Sequence, residues 1–219
     1  MAKRAMTDEA KALKAQAILD QAARMLEESE YNHIKMSDIA KEMKMSKGIL
    51  FVYFKTKEAL FFNLLCREYE NRLIRFTELI NIHPIKTFND FKHLIMTELI
   101  ELIDHKPLYI RLEAMRSTVL EINVDAEMML ELKTKLYLQM MEMISFICKD
   151  NVLMESEVMD IFQAQASIII GCKSSTSIPA EVTAIIEEKK MDGFKRDFKA
   201  DVTATMEYYL DGYLYQKQQ

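Results

Sequence analysis

Apolar residues recur at helical spacing along this chain. Within residues 10–29, Ile18, Ala22, Met25 and Leu26 fall at i, i+4, i+7 and i+8 and predict a helix. Tyr31-Asn32-His33 breaks it. A short helix is predicted over residues 36–43, with Ile39, Ala40 and Met43 on one face. Ser37 and Asp38 at its start can satisfy free backbone donors. After Lys44-Met45-Ser46, a second short helix is predicted over residues 47–53, with Ser46 as N-cap. Thr56 caps a long helix to about residue 80. Longer helices are predicted near residues 87–105, 107–122, 125–149, 155–173 and 194–215. Pro84 and Pro107 sit at element starts, where proline is tolerated. Residues 174–177, followed by Ile178-Pro179, read as the clearest loop, and residues 179–189 add a short helix.

Composition removes the alternatives to an all-α fold. Four Gly and three Pro in 219 residues leave few turn-makers for β-hairpins or Gly-dependent nucleotide folds. Half the chain is hydrophobic, enough for a substantial core, and the 17 Met among abundant Leu, Ile, Ala, Glu and Lys suit long helices. Cys66, Cys148 and Cys172 are widely spaced and odd in number, which reads as free thiols in a reducing cytosol. No apolar run follows the N-terminal residues 1–8, and stretches such as residues 166–171 are too short to span a bilayer. A cytoplasmic protein without membrane attachment is expected.

The net charge of -5 argues against a polyanion partner until its distribution is considered. Residues 1–60 carry 11 Lys+Arg against 9 Asp+Glu, whereas the remainder carries 18 against 25. Between Lys35 and Lys57, six lysines face only Asp38 and Glu42, a local charge of +4. The basic segment coincides with the two short helices. Their spacing is that of a helix-turn-helix: Ile39 and Met43, Met45 from the turn, and Leu50 with Tyr53 or Phe54 would face a common core. Ala40 sits where the helices cross. Such a unit presents its second helix to the major groove of DNA.

The stretch Ile39-Ala40-Lys41-Glu42-Met43-Lys44-Met45-Ser46-Lys47-Gly48-Ile49-Leu50-Phe51-Val52-Tyr53-Phe54-Lys55-Thr56-Lys57-Glu58-Ala59-Leu60 resembles the DNA-binding signature of TetR-family transcriptional regulators. The likeness extends upstream through Ile18-Leu19-Asp20-Gln21-Ala22-Ala23. It departs from the family pattern at four places: Lys44 replaces the turn glycine, Ile49 a threonine, Phe51 a tyrosine, and Lys35 a capping threonine. Lys44 must then adopt a left-handed or near-left-handed conformation at a cost of about 1 kcal/mol. Ile49 loses a hydroxyl contact and gains a possible apolar contact with a thymine methyl.

Candidate DNA contacts are Lys35, Ser37, Ser46, Lys47, Gly48, Ile49, Tyr53 and Lys57. Ser46 Oγ, Lys47 and the Gly48 N–H lie at a helix start where free donors favour phosphate. Gly48 permits close backbone approach, Tyr53 can donate its hydroxyl to phosphate, and Lys57 suits a phosphate clamp. Each has a structural alternative: Ser46 as a cap, Gly48 as a packing site, Tyr53 as core, the lysines as solvated surface.

The resemblance implies residues 1–60 as the DNA-binding domain and residues 61–219 as a helical effector-binding and dimerisation domain. It implies a homodimer on a double-stranded, pseudo-palindromic operator, joined through helices near 155–173 and 194–215. The first offers Val158, Ile161, Phe162, Gln165, Ile168, Ile169 and Cys172; the second offers Phe194, Phe198, Val202, Met206, Tyr209, Leu210, Tyr213 and Leu214. Met128, Met129, Met140, Met141 and Met143 crowd one helix and suit an adaptable apolar pocket or ordinary helix core. Tyr109, Arg111, Glu113, Arg116 and Tyr137 are polar candidates for the pocket or for surface pairs.

Catalysis finds no constellation. His33, His83, His93 and His105 form no H-E-x-x-H, and there is no G-x-S-x-G, P-loop or Cys/His metal spacing. No catalytic residue, metal or cofactor is expected. The reading is a ligand-responsive repressor released from DNA by a small hydrophobic effector; the alternatives are a helical ligand-binding protein with a non-DNA role and a helical-bundle enzyme.

Overall fold

The structure, a computed structural model, describes residues 7–217. The N-terminal residues 1–6, including Lys3 and Arg4 of the charge balance, lie outside the described residues. Within them every regular element is helical. Ten α-helices follow in order: α1 Asp8–Glu28, α2 Met36–Glu42, α3 Lys47–Tyr53, α4 Lys57–Ile82, α5 Phe88–His105, α6 Pro107–Met115, α7 Ala126–Ile147, α8 Glu155–Thr176, α9 Ala180–Glu188 and α10 Phe198–Lys217. Single tight turns cover Tyr31–His33 and Asp192–Phe194, and a wider π-type turn, Arg116–Leu120, follows α6.

The chain divides into two compact units, one through Tyr69 with Met115–Lys135, the other Glu70–Ala114 with the chain from Leu136. The long helix α4 contributes its first half to one and its second half to the other.

In the first unit α1 starts at the Thr7 cap, whose side chain accepts from the Ala10 N–H at 3.2 Å. It buries Ile18, Leu19, Ala22 and Leu26. Ile39 and Ala40 of α2, Leu50 of α3 and Phe54 after it complete the small core. Ala40 is buried as its place at the helix crossing requires, so a larger side chain there would separate α2 from α3.

In the second unit α5 begins with a capping box: Thr87 Oγ1 accepts from the Asp90 N–H, and the Asp90 carboxylate accepts from the Thr87 N–H. It packs on α10, which also packs on α8. A polar knot lies inside. Arg72 of α4 makes a two-pronged ion pair with Glu98 of α5 at 2.6 and 2.9 Å, donates to the Tyr109 hydroxyl at 2.9 Å, and also donates to Gln165 Oε1 of α8. Burial works against the Arg72 charge, but Glu98 and Tyr109 hold the guanidinium protonated; burial pushes the Tyr109 hydroxyl up to about 12. The ring of Phe76 meets that of Phe162 edge-on, 5.1 Å between centroids.

Several expectations are corrected. Residues 174–177 are mostly not a loop: α8 continues through Thr176, and Ser175, Thr176 and Ser177 each donate to carbonyls three to four residues back instead of competing with the helix. The helix expected to 122 stops at Met115, where the backbone widens into the π-type turn. Pro107 does open α6, but Pro84 lies in the connection before Thr87. Phe194 belongs to the turn before α10, not to that helix. The five methionines all lie on α7, where Met143 is buried and the other four are half-buried. Of the polar candidates, Tyr109 and Glu113 are buried and Tyr137 is exposed.

Candidate nucleic-acid interface

The turn between α2 and α3 is closed by the backbone. The Lys44 N–H donates to the Lys41 carbonyl at 3.0 Å, and the Met45 N–H donates to the Ala40 carbonyl at 2.9 Å. This is the paired C-terminal helix closure that needs one left-handed residue, and Lys44 takes it at φ 52°. The conformation expected for a glycine is thus kept without one. Ser46 then caps α3, accepting from the Ile49 N–H at 3.3 Å. The Leu50 N–H bonds to the Ser46 carbonyl, and the Phe54 N–H to the Leu50 carbonyl, which closes the helix after two turns.

Leu50 anchors α3 in the core, so the remaining side chains are turned outward or along its rims. Lys47, Gly48, Ile49, Phe51 and Val52 are exposed, and Tyr53 is half-buried. A Cβ on Gly48 would meet only Ser46 Oγ, at 3.9 Å, so its smallness answers no neighbour within the chain. The Lys47 ammonium lies 5.5 Å from the centre of the Phe51 ring. Lys35 occupies the N-cap position of α2 and Ser37 its first turn, both exposed. Neither Ser37 nor Asp38 caps that helix: the Ser37 hydroxyl turns to Asp38 Oδ1, 3.4 Å away.

Lys57 departs most from expectation. Its ammonium donates to the carbonyls of Tyr31, at 2.6 Å, and Ile34, at 2.9 Å, and lies 3.7 Å from the centre of the Tyr31 ring. Burial lowers its pKa, with Glu58 opposing. Two of its three donors are therefore spent tying the start of α4 to the turn after α1, a positioning role in place of a free phosphate clamp. Sequence reasoning also missed Tyr31, which is buried, packs edge-on against Phe61 at 5.2 Å, and donates its hydroxyl to Glu58 at 3.3 Å. The signal available was a tyrosine just after a helix end; its partner lies 27 residues on, beyond any local pattern.

The structure brings Lys35, Ser37, Ser46, Lys47, Gly48, Ile49 and Tyr53 into one small unit whose α2 and α3 pack together. No three His, Cys, Asp or Glu side chains gather as a metal site among the described residues, and no described helix is long and apolar enough to cross a membrane.

The helices expected to join two copies also carry an inward face. Val158, Ile161, Gln165 and Ile169 of α8, and Val202, Met206 and Leu210 of α10, are buried within the chain itself. Those residues serve the intramolecular core; Tyr208 and Tyr215 are among those left exposed on α10.

Two family profiles match. That of bacterial regulatory proteins of the tetR family covers residues 18–64, and that of the tetracyclin repressor-like C-terminal domain covers residues 92–217. An uncharacterised HTH-type transcriptional regulator of Bacillus subtilis strain 168, YuxN, is 36% identical over 69 residues, which span 32% of this chain and 23% of that relative. Among solved structures, a chain assigned to the TetR family from Mesorhizobium loti aligns over 96% of this chain and 98% of its own, at 17% identity and a TM-score of 0.49. Mycobacterium smegmatis AmtR aligns over 93% and 95%, at 18% identity and a TM-score of 0.43. The two profiles together span the helix-turn-helix and most of the helices beyond it, and the chain belongs to the TetR family of DNA-binding transcriptional regulators.

Proposed function

We propose that this protein is a ligand-responsive repressor, not an enzyme, acting in the cytoplasm as a homodimer on a pseudo-palindromic operator. Residues 1–60 would hold the DNA and residues 61–219 the effector and the second protomer. Each protomer lays α3 in the major groove, with Lys47, Gly48 and Ile49 facing base edges. Lys35, Ser37, Ser46 and Tyr53 contact backbone phosphates. The observation that carries this reading is α3 itself, exposed along its outer side and set among lysines in an otherwise acidic chain.

The effector is a small, largely apolar molecule. An effector site in the second unit is supported by Gln165, whose Nε2 is buried without an acceptor that a bound carbonyl group would supply. Release would follow a tilt of α4, the helix held by Lys57 near its start and Arg72 further along. Dimerisation would use the outer sides of α8 and α10, since their inner sides are already covered.

Binding is tested by gel shift against the DNA flanking the protein's own gene. A Lys47→Ala/Tyr53→Ala double variant should lose at least tenfold in affinity, measured well below its own melting temperature so that the folded protein is compared. Undiminished binding by that variant would remove these residues from the interface, and no shift by the unmodified protein would remove DNA from the reading.

A further inference from the structure

The outward side of α3 carries almost no hydrogen-bonding chemistry. Its sequence, Lys-Gly-Ile-Leu-Phe-Val-Tyr, lacks Arg, Asn, Gln, Asp and Glu, the side chains that grip purine or cytosine edges with paired or directed hydrogen bonds. With Leu50 buried at the inner side, helical geometry sets Gly48 and Val52 opposite it, flanked by Ile49 and Phe51. Val52 is 83% exposed, Ile49 50% and Phe51 37%. Three large apolar side chains exposed on the outward half of a two-turn helix, Val52 at its centre and Ile49 and Phe51 on its two flanks, mark a contact surface.

Charge complementarity says what covers it. Exposed Lys35, Lys41, Lys44, Lys47 and Lys55 lie on α2, the turn, α3 and the segment after α3, and only Asp38 and Glu42 oppose them between residues 35 and 57. An apolar ridge set among lysines fits a polyanion that itself displays apolar groups. In the major groove the thymine C5-methyl is the apolar group on a base edge. Resting on the DNA-binding reading above, we propose that Ile49, Phe51 and Val52 read their operator by packing against thymine methyl groups. Lys47 adds at most one guanine contact. Each half-site is therefore thymine-rich at adjacent positions, and Gly48 leaves room for the backbone to reach them.

The test starts from a binding site enriched out of a random duplex pool, then remade with deoxyuridine in place of thymidine, one position at a time. The exchange removes only the methyl and leaves base pairing and phosphates unchanged. Affinity should fall about fourfold per contacted methyl, the factor expected for one buried methyl-sized group. The salt dependence should stay the same, because no phosphate contact is touched. Val52→Ala, a change at an exposed site that should leave the melting temperature unaltered, should shrink the thymine-to-uracil ratio. Site-selective binding indifferent to uracil at every position overturns this inference while leaving the DNA-binding reading intact. No enrichment of any duplex overturns both. A Val52→Asp variant that changes oligomeric state but not DNA affinity assigns the ridge to protein contact and overturns the inference as well.

Discussion

Lys44 shows how a single residue can break a local rule and still keep the fold. A left-handed conformation costs a side-chain-bearing residue about 1–2 kcal/mol, part of which glycine returns as unfolded-state entropy. Lys44→Gly should therefore raise stability by about 0.5 kcal/mol, read as a shift of the urea midpoint at unchanged m-value. The same device recurs at Lys190, φ 53°, whose neighbour Met191 donates back to the Ile186 carbonyl; Asn151, φ 54°, is the third such position. No described glycine has positive φ. The scarcity of glycine thus moves the strain of helix ends onto lysine and asparagine, and the αL position at residue 44 was legible because a family pattern marked it. Positions 151 and 190 carried no comparable mark. Arg72 is the opposite case, a residue unremarkable in sequence and central in space. Arg72→Met would leave the Glu98 carboxylate buried without its partner, at a cost of about 3–5 kcal/mol in urea unfolding. An Arg72→Met/Glu98→Leu double variant should recover most of it.

Among the elements, the helix ends set the response to acid. The Thr87 hydroxyl, with the N–H groups of Lys86 and Thr87, holds the Asp90 carboxyl below its ordinary 3.8. Burial opposes ionisation of Glu157, but Lys217, the Met154 N–H and Tyr213 together hold it below 4.5. Both groups bind a proton less readily folded than unfolded. Their contribution is fully present above the unfolded values and is lost as pH falls through the folded ones. Thermal melts from roughly pH 7 down to 3 should be level until about pH 4.5 and then decline, with Asp90→Asn and Glu157→Gln each making the decline shallower. Element type and order were largely legible, because long amphipathic periods and caps such as Ser46 and Thr56 are local signals. The end of α8 was not, since serine and threonine hydroxyls can either break a helix or bond back into it, and the sequence does not choose.

For the molecule as a whole, the charge contrast predicts a binding curve governed by salt. The logarithm of the operator affinity should fall linearly with the logarithm of salt concentration, and Lys35→Ala, which removes a phosphate contact, should reduce that slope by about one. Lys57→Ala should instead lower stability, because its ammonium serves the Tyr31 and Ile34 carbonyls; the comparison of the two variants by anisotropy titration and by melting separates clamp from anchor.

The sequence by itself determined the helical class, the helix-turn-helix register, the basic segment within an acidic chain and the family. All of these rest on residues near one another along the chain, where period, cap and charge can be read directly. Only the tertiary structure decided which faces of α8 and α10 are already covered, that Lys57 is tied down, that Arg72 gathers three helices, and that Ile49, Phe51 and Val52 are all exposed. Those facts depend on partners as far as 93 residues apart, and an apolar side chain looks the same in sequence whether it fills a core or waits for one.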